Sequence, residues 1–119
     1  VESAHPKACM VGDVYHIFRG GSDFAGLKML SGAAMPVMHM NDYPADPPRE
    51  RLTDRDRVMP GDGVAPLPQI LRWLRENGSR AVLSLELFSQ KYWEKDALEV
   101  ARTGLAKMKN AVEQSLAGT

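Results

Sequence analysis

The sequence holds a single cysteine, Cys9, so no disulfide can close within the chain. Cys9 lies in an apolar run and reads as a buried, reduced thiol of the cytosol rather than a nucleophile. Neither sign of charge is in excess: 15 Lys and Arg face 15 Asp and Glu, for a formal net charge of +0. That balance lacks the basic footprint of a nucleic-acid binder. No apolar run approaches the ~20 residues that a membrane-spanning helix needs. Val1-Glu2-Ser3-Ala4-His5-Pro6 carries no basic-then-apolar leader pattern, and it has no Met, so we expect a segment cut from a longer chain. There is no GxGxxG and no P-loop, so no nucleotide cofactor is implied. Low-complexity tracts are missing too. What remains is 119 residues of which 44% are hydrophobic, enough core for one domain or a piece of one.

Three units of strand, loop and helix follow one another. The first strand is expected at Ala8–Val14, then a break at Gly20-Gly21-Ser22. Ser22 is a candidate N-cap for a short helix carrying Phe24, Leu27 and Leu30. The second strand is expected at Met35–Met40, with Pro36 near its start because proline cannot donate to the ladder. A long polar loop follows, from Asn41 to about Val64, with Pro44, Pro47, Pro48, Pro60 and the turn Gly61-Asp62-Gly63. Loops of that length are uncommon unless they do a job. Asp62 is expected to shape the turn. Leu67, Ile70, Leu71 and Leu74 then form an amphipathic helical stripe that stops at Asn77-Gly78. The third strand is expected at Ala81–Leu87. The last helix opens at Asp96, with Glu99 three residues on, and its stripe runs Leu98, Ala101, Leu105, Met108, Val112. Strands alternating with helices imply βαβ units and a parallel sheet covered by helices.

Each strand carries an ionisable residue near its C-terminal end: Asp13, His39 and Glu86. Side chains alternate across a strand. Asp13 therefore shares a face with Val11, His39 with Val37, and Glu86 with Ser84 and Val82. Met38, Met40, Leu83, Leu85 and Leu87 face the other way, toward covering helices. Burying two carboxylates beside an imidazole is costly unless something compensates. A divalent cation does so. Caps, salt bridges and solvated positions are the ordinary roles of such residues, and on spacing alone they stay open.

The motifs narrow the choice. Asp13-Val14-Tyr15-His16 resembles the Asp-x-x-His element of the sugar phosphate isomerase/epimerase family, the xylose-isomerase-like barrels. His39-Met40-Asn41-Asp42 resembles the family's next strand end, where a ligand His precedes a polar loop. Arg57-Val58-Met59-Pro60-Gly61-Asp62-Gly63 resembles its Arg-x-x-Pro-Gly-x-Gly loop, and Ser84-Leu85-Glu86-Leu87-Phe88 its final strand. The resemblance covers nearly the whole chain, in order and in register. It implies an α/β fold, a parallel (β/α)8 TIM barrel, of which residues 1–119 are the C-terminal portion with strands six to eight. Residues 1–6 would end the preceding helix. It also implies one divalent metal (Mn²⁺, Co²⁺ or Mg²⁺, with Zn²⁺ compatible) held by Asp13, His39, Glu86 and a Glu on strand five. No residue of this chain takes the place of that fourth ligand.

The same resemblance gives roles. His16 would contact a substrate oxygen, Arg57 would hold a hydroxyl or carbonyl, and Glu86 would be both ligand and acid/base. Tyr92 and Trp93 would wall the pocket or pack on the last helix. The implied activity is a sugar or sugar phosphate isomerase or epimerase working by proton transfer through a metal-bound enediolate. The expected partners are a small sugar or polyol substrate and the remaining barrel strands, with no nucleic acid and no membrane. The expected compartment is the cytoplasm, and a homo-oligomer is left open. Three alternatives share the scaffold. One is a lyase that dehydrates a keto-inositol. Another is a noncatalytic sugar-binding barrel. The third, an abasic-site endonuclease, is disfavoured by the neutral charge and few histidines. Taken alone, the 119 residues are expected to be inactive.

Overall fold

The computed structural model describes residues 5–117. Strands β1 (Val11–Asp13), β2 (Val37–Met40) and β3 (Val82–Leu85) form one sheet in the order β1-β2-β3. Both pairings are parallel. Their register aligns Val11 with Val37 and Val82, and Asp13 with His39 and Ser84. The three C-terminal strand ends are therefore level, and every connection between strands runs through helical segments. The expected end of a preceding helix falls partly on residues 1–4, outside the described residues; residues 5–7 form a bend and turn.

The two faces of the sheet differ as alternation requires. Met38 and Met40 are fully buried on one face, while Val11 and Val82 are 54% and 64% exposed on the other. The covered side packs against α2 (Leu67–Glu76) and α4 (Ala97–Leu116), which also contact each other; the short α3 (Gln90–Trp93) precedes α4. Leu67, Ile70, Leu71 and Leu74 of α2 enter the core with Met35, Met38 and Met40. Burial of such side chains contributes about 1.5–3 kcal/mol each. Pro68 sits in the first turn of α2, where its missing N–H costs nothing. The helix ends at Asn77, followed by Gly78 at φ +73°, a left-handed position that suits glycine.

Several boundaries differ from those expected. β1 stops at Asp13, because α1 (Val14–Arg19) starts immediately and Asp13 caps it by accepting from the His16 N–H. The short helix at Phe24–Met29 is 3₁₀, and Asp23 rather than Ser22 caps it, through the Ala25 N–H. Cys9 is exposed, not buried: it precedes β1, whose outer edge has no neighbour in the sheet among the described residues. Asp96 does cap α4, accepting from the Glu99 N–H. The expected stripe of α4 is only partly its packing face. Leu98 and Leu105 are exposed, and the small residues Gly104, Ala111 and Ser115 make the close approach. No helix among the described residues is long and apolar enough to cross a membrane.

Candidate metal centre

The level strand ends bring Asp13, His39 and Glu86 together. One ligand atom from each lies within 4.8 Å of the other two. The imidazole faces the carboxylates with Nδ1, which is 3.1 Å from Glu86 Oε2 and 3.5 Å from Asp13 Oδ2. Asp13 is buried, whereas His39 and Glu86 keep about a third of their side chains exposed on the open side. The cleft there is lined by Val11, Asp13, His16, Ile17, His39 and Glu86.

Arg57 closes the centre from the long loop. It is 2% exposed and lies between the Tyr15 and Phe88 rings, 4.6 and 4.8 Å from their centroids. Its Nη1 donates to Glu86 Oε2 at 2.9 Å and stands 3.6 Å from Asp13 Oδ2. Its Nη2 donates to Asp54 Oδ1 at 2.8 Å and approaches His16 Nε2 at 3.1 Å. A guanidinium only donates, so His16 Nε2 is the acceptor and the ring proton sits on Nδ1. Burial alone would lower the Arg57 pKa. Asp54, Asp13 and Glu86 outweigh it and hold the group above its ordinary value. The bond from Arg57 in turn keeps the Asp54 carboxyl below its ordinary range.

The donor set fits a divalent cation. One guanidinium faces three carboxylates, those of Asp13, Glu86 and Asp54, so negative charge is left over. Asp13 Oδ2 is buried without a hydrogen bond. A buried anionic oxygen in that state is costly unless something takes its lone pair. An imidazole with two carboxylate oxygens is a set that Zn²⁺, Mn²⁺ and Co²⁺ accept.

Two acidic or amide residues of the loop escaped the sequence reading as contributors. Asn41 is fully buried; it donates to Asp13 Oδ1 and accepts from the Tyr15 N–H. Asp42 is 1% exposed and accepts from the N–H groups of Tyr43, Ala65 and Gly61. Its backbone also pairs with Val58, the neighbour of Arg57. Asp42, not Asp62, therefore organises the turn. The Asp62 carboxylate reaches out to Lys107 on α4. A following Asn-Asp pair reads in sequence as an ordinary loop start, and only its burial reveals the difference. Tyr92 and Trp93 do not line the cleft. They flank a groove with Leu85, Leu87, Val100 and Ala101, and the Tyr92 oxygen accepts from the Met59 N–H.

The sequence profile described as xylose isomerase-like TIM barrel matches residues 2–111. The chain belongs to that family. Inosose isomerases of Halalkalibacterium halodurans and Bacillus subtilis are 36% and 37% identical to it over 94 residues, 79% of this chain. The chain spans about a third of the length of these relatives. A crystal structure of the IolI protein with a binding zinc atom superposes with a TM-score of 0.83 at 34% identity. That match covers 90% of this chain and 38% of the other. A xylose isomerase domain protein of Alicyclobacillus acidocaldarius, at 24% identity, shares the fold with a TM-score of 0.79 over 92% of this chain and 39% of its own. The parallel α/β sheet described above thus belongs to a family of TIM barrels.

Proposed function

We propose that residues 1–119 are strands six to eight of a (β/α)8 barrel. In this reading Asp13, His39 and Glu86 hold one divalent cation in an isomerase of inosose-like cyclic ketoses. The convergence of these three ligand atoms within 4.8 Å at level strand ends carries the proposal. The inosose isomerases among the relatives supply the substrate class. Active sites of TIM barrels lie at this C-terminal face.

The chemistry follows from the residues. A divalent cation held here supplies Lewis acidity, polarising a substrate carbonyl so that the adjacent C–H becomes acidic. Glu86 stands at the open side and takes that proton, then returns it to the neighbouring carbon, while the hydroxyl proton passes from one substrate oxygen to the other. Arg57 orients Glu86 through its 2.9 Å bond. His16 carries its proton on Nδ1, since Arg57 occupies Nε2, and is set to donate to a substrate oxygen from the cleft wall. Packing of Tyr15 and Phe88 on the guanidinium keeps water from it.

The test is made with the full-length chain in D₂O, loaded with Mn²⁺ or Zn²⁺ and given an inosose. Deuterium should enter at the carbon beside the carbonyl as the isomeric ketone forms, and Glu86→Gln should abolish both. Absence of exchange and of isomer would overturn the isomerase reading. A product lighter by one water would assign a dehydratase instead.

A further inference from the structure

The side chain of Asn41 touches all three strand ends. Its Oδ1 accepts from the Tyr15 N–H at 2.8 Å, at the start of α1 after β1. Its Nδ2 donates to Asp13 Oδ1 at 3.2 Å and to the Glu86 carbonyl at 3.4 Å, just past β3. Asn41 itself follows β2 and is fully buried. The amide cannot be reversed: turning it would set Nδ2 against an N–H and Oδ1 against two acceptors. A second donor, the His16 N–H, also ends on Asp13 Oδ1, at 3.0 Å. Both donors thus occupy one oxygen of Asp13. The other, Oδ2, is buried, unbonded and turned toward His39 Nδ1 at 3.5 Å.

We propose that Asn41 is the positioning residue of the metal centre. By holding Asp13 Oδ1, it makes Asp13 present Oδ2 alone. The inference rests on the metal reading above. It assigns a function to a residue that touches neither metal nor substrate. A carboxylate freed from both donors could swing and chelate with two oxygens or turn away, so loss of Asn41 should weaken the cation through Asp13.

The experiment is a double-mutant cycle on the full-length chain. The affinity for Zn²⁺ alone is measured by competition with a chromophoric chelator in wild type, Asn41→Ala, Asp13→Ala and the double variant. Asn41→Ala should lower the affinity roughly 10- to 100-fold in the wild-type background. With Asp13 already removed, it should have less than about a twofold effect, because the partner through which it acts is gone. An equal loss in both backgrounds would mean that Asn41 merely supports the fold, and the proposal would fall. So would unchanged affinity in Asn41→Ala alongside a loss in Asp13→Ala. If neither Asp13→Ala nor His39→Ala weakens Zn²⁺, the metal reading itself fails and this inference goes with it. Should Asn41→Ala not fold, Asn41→Ser, which keeps a polar group but cannot span to Asp13, completes the same cycle.

Discussion

Arg57 gathers the charges of the site. It bonds Glu86, Asp54 and His16 with one planar group held between two rings. Lysine offers a point charge on a flexible stem and cannot serve those partners together. Arg57→Lys should therefore leave metal content unchanged and lower kcat roughly 10²-fold, the scale expected when one preorganised donor is lost. Steady-state kinetics beside metal analysis would check both. Asp42 makes a different kind of prediction, about pH. Burial raises its carboxyl above the ordinary value of 3.8, against the pull of the Ala65, Tyr43 and Gly61 N–H groups. Such a carboxyl binds its proton more tightly folded than unfolded. Its contribution to stability therefore falls as pH rises from 3.8 through the raised value. Asp54 works below that window and with the other sign: its pKa is lowered, so its stabilisation is present above 3.8 and lost as pH falls. In Asp42→Asn the fall above 3.8 should vanish from a series of denaturant titrations across pH. At pH 7 the variant should be less stable by about 1–3 kcal/mol, because its amide N–H₂ meets the Gly61 N–H. At this scale Asp13, His16, His39, Arg57 and Glu86 were legible, since each is ionisable and sits in a spaced motif. Asn41 and Asp42 were not, because what marks them is burial and hydrogen bonding across elements far apart in sequence.

Among the elements, the loop from Asn41 to Val64 does most to assemble the site. It contains two 3₁₀ turns, Arg49–Arg51 and Asp54–Asp56, the second closed by a reciprocal bond between Thr53 and Asp56. Its far end folds back on Asp42. A Cβ on Gly63 would lie 2.2 Å from the Tyr43 carbonyl oxygen and 2.5 Å from Asp42 Oδ1. Backbone cannot yield as a side-chain tip can. Gly63→Ala should cost about 1–3 kcal/mol, comparable to other overpacked sites, and shift Arg57 through the Asp42–Val58 pairing. Turnover should fall while Zn²⁺ affinity holds, because the three proposed ligands stand on the strands or directly after them; a parallel loss of Zn²⁺ would show that loop and strand ends are one unit. The helices were legible where one face is continuous, as in α2. The missed helix α1 reads Val-Tyr-His-Ile-Phe-Arg, rich in β-branched and aromatic residues that prefer strands, and tertiary packing of Val14 and Tyr15 overrides that preference. On α4 the sequence stripe puts Leu98 and Leu105 on the inner face, yet both are exposed. The real contact is made by Gly104, where an added Cβ would meet only the side chain of Leu85, and size misled the periodicity.

For the whole molecule, the open surfaces decide what the 119 residues can do alone. Among the described residues β1 and β3 each have one neighbour in the sheet, so two parallel edges are left open. The face that holds the candidate metal centre is also open, with Val11 and Val82 more than half exposed, and Trp93 of α3 and Leu98 of α4 are 63% and 57% exposed. Edges and apolar patches of this kind promote association. On the reading proposed above, five further strands cover these surfaces and one of them brings the fourth ligand. Three predictions follow for the 119 residues expressed without the rest: they should self-associate as concentration rises in sedimentation velocity, bind Zn²⁺ at least roughly tenfold more weakly than the full-length chain, and turn over no inosose. Adding the remaining barrel as a separate chain should restore a discrete species and tighter Zn²⁺ binding, because the surfaces that drive association are the ones the barrel buries. A stable, monodisperse and fully active 119-residue protein would instead show that the exposed edges are tolerated and that three strands suffice for the site.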